Sequence, residues 1–313
     1  MSEASVIGWL LDGDPAIRWQ VMHDLTDASD DAVALERSRV AREGWGRALL
    51  ERQAPEGWWN ANDPGWMIAM DALALLREMG LEPFSDEARR AIARVKANLG
   101  FEAHGNRPYF EGETEPCING AILALGSYFG EHCERIVDRL LGEQLADGGW
   151  NCEAPPSTRS SFHSTIRVLE GLMEYERRLG AATAVTDARK KAHEYLLERH
   201  MFRRLSTGEI IDRSWTRFAY PTMWHYDILR GLDYLRSTGC EPDERVAEAI
   251  GVIQGRRHQN GRWPMNYLHA DRLGFPMEVE TGRASRWNTL RAMRVLKWSR
   301  CQNAPRVATL YGD

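Results

Sequence analysis

The sequence predicts an all-α chain of paired helices, on three observations. Apolar residues recur three and four apart through a series of helix-length stretches, and no alternating run reads as a strand. A short turn with glycine two residues before tryptophan comes back three times, at 57/59, 148/150 and 261/263.

The elements follow in order. An opening helix begins at Asp14, where an aspartate cap precedes Pro15 in the first turn. A polar helical stretch, 31–52, leads to the first turn, QAPEGWW (53–59). The second turn, QLADGGW, spans 144–150, and the third, QNGRW, spans 259–263. Weaker versions lie around Gly105 with Tyr109 and around Gly208. Less polar helices are predicted at 14–26, 66–79, 116–129, 162–179, 221–237 and 286–298. More polar ones, at 84–98, 131–145, 186–200 and 243–255, alternate with them. Gly and Pro cluster only in the connections.

Helix pairs repeating every roughly 45 to 65 residues either stack into an open superhelix or close into a double ring. Six less polar helices, and the small residues Gly120, Ala121, Gly126, Gly171 and Gly231 on them, favour closure. The inner helices then run parallel with their amino ends at one mouth. Five polar helices to six inner ones imply an incomplete outer ring, and residues 1–313 form one domain with its repeat region at about 53–298.

Composition narrows the function. Of 313 residues, 40 are basic and 45 acidic, for a net charge of −5, and no basic block stands ready for a phosphate backbone, so nucleic acid is not an expected partner. No apolar run reaches the ~20 residues of a membrane span, and Met1 to Asp14 does not read as a leader, so a cytoplasmic protein is expected. The cysteines, 117, 133, 152, 240 and 301, are odd in number and scattered, which suits free thiols in a reducing compartment. The 12 tryptophans are many for a side chain that lines cores and pockets.

With the Q-x-x-x-G-x-W turns, DGGWNCE (147–153) ahead of SSFHSTIRVLEGL (160–172), and TEPCINGAILAL (114–125), the chain resembles the terpenoid cyclase and protein prenyltransferase β-subunit superfamily, built from prenyltransferase and squalene oxidase repeats. The resemblance implies an α/α toroid around a deep aromatic-lined cavity. It identifies the architecture better than the reaction, because one fold hosts many chemistries.

Two positions carry chemistry by their placement. Cys117 follows Pro116 into the first turn of its helix, where free amides and the helix dipole favour a thiolate. His163 falls in the first turn of the next inner helix, and aligning Leu123 with Leu169 puts both at one register. The resemblance implies a zinc site of this arrangement: Glu115, in place of the usual Asp, with Cys117 and His163, to which Cys152 adds a second thiol. Such a donor set suits tetrahedral zinc. The plain alternative is packed thiols and a locally bonded histidine.

His225 is a candidate general acid or base, although Met223 holds the matching register and packing against the wall is the simpler reading. Trp66, Tyr109, Trp224 and Trp287 are candidate cavity residues that would bind an isoprenoid or other apolar substrate. The turn residues Trp59, Trp150 and Trp263 read as glue between helix pairs. Two features of the superfamily are missing: there is no D-x-D-D run for class II cyclisation, and Glu153 follows Cys152 where a diphosphate grip would need a cation, with Arg159 the nearest. Transferase and cyclase assignments both weaken.

The preferred reading is a zinc-dependent enzyme working at the mouth of the ring, and no partner subunit is indicated. One alternative is a carbohydrate-active helical barrel, needing paired carboxylates from Glu111, Glu113 and Glu115 opposite Asp63 or Asp212. Another is a binding scaffold without catalysis.

Overall fold

The computed structural model describes residues 2–62, 65–269, 273–278 and 280–300, so Asp63 and Cys301 lie outside the described residues. The inner ring consists of α2 (Pro15–Leu25), α5 (Trp66–Met79), α7 (Pro116–Phe129), α9 (Phe162–Leu179), α11 (Ile228–Ser237) and α13 (Arg286–Ser299). Outside them lie α3 (Asp30–Ser38), α4 (Gly44–Glu51), α6 (Asp86–Asn98), α8 (Glu134–Gly142), α10 (Thr183–Leu197) and α12 (Ala247–Gly255). A short helix, α1 (Glu3–Leu11), precedes the ring and packs on α2.

Each neighbouring pair of inner helices is joined by specific contacts. Gln20 on α2 donates to the Glu78 carbonyl of α5, and α5 packs on α7. The α7/α9 approach is set by glycine: a Cβ on Gly171 would stand 2.3 Å from the Gly120 carbonyl oxygen. Only hydrogen fits there. Arg230 on α11 forks onto Glu170 of α9, and α11 packs on α13. Arg294 on α13 then reaches Gln20 and Asp24 at the far end of α2, which closes the circle. The architecture is therefore an all-α closed ring, the α/α toroid.

The repeated turns join the rings. The indole N–H of Trp59, Trp150 and Trp263 donates to the carbonyl of Leu49, Leu140 and Ile253 respectively, at 2.7–2.8 Å. Each acceptor stands two residues before the end of its outer helix, where carbonyls lack helical partners. All three tryptophans are buried, so their role as glue is visible in the structure. Gly57, Gly148 and Gly261 take φ of +90, +96 and +77, which explains the invariant spacing within this chain. Gln53 and Gln144 each donate to the turn glycine and to a carbonyl of the next outer helix, Ala91 and Ala188. In the third turn the equivalent residue is Arg257, which donates to Gly261, and not Gln259.

Three boundaries differ from the sequence reading. The stretch 31–52 is two helices separated by a 3₁₀ turn (Arg39–Ala41), and α1 was not expected. The helix read as 221–237 starts only at Ile228, because Asp227 caps it by accepting from Arg230 N–H and Met223 sits at φ +49, outside helical space. The only paired strands among the described residues are β1 (Gly100–Phe101) and β2 (Arg107–Pro108), a small antiparallel hairpin. No helix of the described residues is long and apolar enough to cross a membrane.

Candidate functional site

At the mouth, Glu115, Cys117 and Cys152 converge: one ligand-type atom from each lies within 4.8 Å of the others. Pro116 occupies the first helical position of α7 and cannot supply an amide, and Glu115 makes no side-chain cap. Cys152, from the loop after the second turn, takes over that role. Its sulfur accepts from the Cys117 N–H at 3.4 Å and lies 3.2 Å from Ser164 Oγ on α9. The Cys117 thiol reaches Glu115 Oε2 at 3.7 Å. The neighbouring Cys152 sulfur, with burial second, pushes the Cys117 thiol up, and the same contact holds Cys152 below the usual thiol range. Cys152 is the stronger thiolate because it also accepts from Ser164 and the helix amide.

The donor set fits zinc. Tetrahedral coordination with Zn–S near 2.3 Å and Zn–O near 2.0–2.2 Å places a sulfur and an oxygen ligand about 3.5–3.7 Å apart, close to the 3.7 Å found between Cys117 and Glu115. His163 stands outside this triad. Its Nδ1 accepts the Tyr226 N–H at 2.8 Å, so the neutral ring carries its proton on Nε2 and offers no second lone pair. A metal-bound histidine usually donates from its outer nitrogen, which is the reverse polarity. Burial, with Arg230 adding, lowers its pKa.

His163 instead belongs to an aromatic pocket of about 340 Å³ with Asp212, Trp215, Trp224, His225, Tyr267 and His269. His225 is stacked between Trp224, at 3.9 Å, and His269, at 3.6 Å. Burial, then His269 and His163, bring His225 down to about 3. It is neutral and weakly basic near pH 7, unlike a general base tuned to its working pH. Trp224 is 52% exposed.

Of the other predicted cavity residues, Trp66 and Tyr109 pack with Phe101 beside the β1–β2 hairpin, with ring centroids 5.0 and 5.9 Å from it. Trp287 does line the central cavity, stacked on Tyr220 at 4.4 Å. The carboxylates of the carbohydrate alternative are otherwise engaged. Glu113 is buried, accepting from Glu115 N–H and Thr114 and pairing with His104, while Glu111 pairs with Arg135 on the surface. Asp212 caps a 3₁₀ turn.

The central cavity, of about 320 Å³, lies toward the carboxyl ends of the inner helices. Aromatic side chains line it, as expected, but so do six arginines and four carboxylates. Sequence reasoning missed this. The signal was present as Arg and Glu on the otherwise apolar inner helices, at 77, 78, 170, 174, 230, 291 and 294. Arg167 is 5% exposed; burial and Arg230 lower its pKa against the pull of Asp71, and its charge is felt at Cys117.

No protein-family model matches the chain, and neither does any curated protein. Among solved structures it is similar to the type II terpene cyclase MstE from Scytonema in its apo form, at 18% identity over 93% of this chain and 88% of that one, with a TM-score of 0.46. It is similar to a variant of that enzyme in complex with geranylgeranyl dihydroxybenzoate as substrate, at 19% identity over 91% and 86%, with a TM-score of 0.47. It is also similar to a protein from Actinoplanes, at 17% identity over 95% and 99%, with a TM-score of 0.44.

Proposed function

We propose that this chain is a zinc-dependent enzyme working at the mouth of the ring, with Glu115, Cys117 and Cys152 as the protein ligands. The observation that carries this is the gathering of two thiols and a carboxylate at one helix start, with no ion pair to Glu115 among the described residues. Three acidic groups held this close repel one another when ionised, and a divalent cation relieves that repulsion. Zinc with three protein ligands and one open position would supply either a held thiolate or an activated water.

This chain's own residues would then divide the work. Ser164 and the Cys117 amide orient the Cys152 sulfur. The pocket of Trp215, Trp224 and Tyr267 would take the apolar part of an isoprenoid or similar substrate, and the Nε2–H of His163 would donate to a polar oxygen of that substrate. A cytoplasmic setting would keep both thiols reduced.

The test is elemental analysis of protein purified without chelator, alongside cobalt loading. Wild type should hold about one zinc per chain and show thiolate-to-cobalt absorption, and Cys152→Ser should lose most of both. Wild-type protein that binds neither metal would end this reading.

A further inference from the structure

We propose that the central cavity is a binding site for a small organic anion, a carboxylate or phosphate carried on a flat or apolar body, with Arg291 as its anchor. The inference does not depend on metal at the mouth.

Six arginines and four carboxylates line the cavity wall, and further carboxylates behind it pair with some of those arginines, so what distinguishes one arginine from another is how closely it is held. Most of the arginines are occupied. Arg230 forks onto Glu170, Arg77 meets Glu174 at 3.3 Å, Arg294 meets Asp24 at 2.5 Å, and Arg37 is spread over Gly80, Tyr128 and Glu82. Arg291 differs. It is 6% exposed, yet its contacts are a 3.5 Å bond to the Ala219 carbonyl and a 3.9 Å approach to Asp227. A guanidinium has five N–H donors in a rigid fork, and this one uses two weakly. Burying such a group with only long contacts is costly, and a bidentate anion is the partner whose geometry matches.

A second orphan stands close by in the same helix. The indole Nε1 of Trp287 is buried without an acceptor, and its ring is stacked on Tyr220, whose hydroxyl donates to Glu78. The stacked pair gives the cavity a flat wall beside the loosely held Arg291 guanidinium. A volume of about 320 Å³ is at the small end of ligand sites, which suits a single-ring or short-chain molecule.

The rival explanation is that the arginines only offset the negative ends of the inner helices, which point this way. That effect fades beyond the last turn of a helix. Arg291 lies in the first half of α13, so its own helix end does not account for it.

Benzoate and inorganic phosphate are the probes. Each is titrated by calorimetry into chelator-treated wild type, Arg291→Gln and Arg291→Lys, and thermal unfolding is followed in parallel against chloride at equal ionic strength. Saturable binding of at least one probe to wild type is expected, weakened tenfold or more in Arg291→Gln and less in Arg291→Lys. Benzoate alone binding identifies a carboxylate on an aromatic body, and phosphate alone identifies a phosphoryl group. Equal binding to Arg291→Gln overturns the proposal. So does wild type that neither binds nor is stabilised by either probe, a result that stands even if the variants fail to fold.

Discussion

The two ends of the inner ring treat charge in opposite ways. At the mouth, Glu115, Cys117 and Cys152 are all groups that ionise to anions, and their ligand-type atoms lie within 4.8 Å of one another. Toward the carboxyl ends, charges of both signs are interleaved, as in the Arg230–Glu170 fork and the Arg77–Glu174 pair. The first arrangement gathers acidic groups with no cation of the chain paired to Glu115 among the described residues, and the second is nearly complete within the protein. The proposed function puts a cation at the first end, whereas the other owes its shape to internal pairing, in which Arg291 is held less closely than its neighbours.

Breaking an internal pair should produce the largest effect. In Glu170→Gln, Arg230 keeps its bonds to the Met223 and His225 carbonyls but loses its carboxylate, leaving a buried guanidinium only partly satisfied. The expected cost is about 3–5 kcal/mol, read from chemical denaturation. A change below about 1 kcal/mol would mean that water compensates Arg230 and that the interior is wetter than its burial indicates.

The mouth should respond the other way, with a large functional change for a small structural one. Cys117→Ser should empty the metal site, yet in the metal-free state it should shift stability by only about 0.5–1.5 kcal/mol, the scale of one hydrogen bond. Chelating the wild type should likewise lower the melting temperature less than Glu170→Gln does, because the ring's apolar core supplies most of the stability. Metal removal that unfolds the chain would make the site structural, and the contrast between the two ends would fail.

The same contrast explains what was readable beforehand. Helical periodicity and the Gly-x-Trp turns showed the ring because those signals are local, and each turn tryptophan does the same task ten residues back. Cys117 was legible because Pro116 fixes where α7 begins, Glu115 through the family resemblance, and Cys152 through its place in the loop just before α9. His163 was placed by register, but register cannot show that the Tyr226 amide takes its Nδ1, since that bond depends on the irregular segment before Ile228. The interior pairs were hidden for a related reason. Glu170 and Arg230 are 60 residues apart, and only the placing of α11 beside α9 makes them neighbours.

The smallest effect is a pH dependence that reports on the ring from behind. His193, on outer helix α10, lies 2.9 Å from the hydroxyl of Tyr234, whose other side lines the central cavity. Burial, with Arg189 adding, lowers His193 from 6.5 to about 4. Between those values the unfolded chain takes up a proton that the folded chain refuses, so the contribution of His193 is complete above about pH 6.5 and is lost as pH falls toward 4. Two and a half units would correspond to about 3 kcal/mol for a fully enclosed group, and partial exposure reduces this to about 2 kcal/mol or less. His193→Gln keeps a donor for Tyr234 and removes the titration. Its denaturation midpoint should therefore fall less steeply than wild type between pH 6.5 and 4.5, with the two curves parallel above pH 7. Parallel curves throughout would show that His193 titrates normally and that solvent reaches the back of Tyr234.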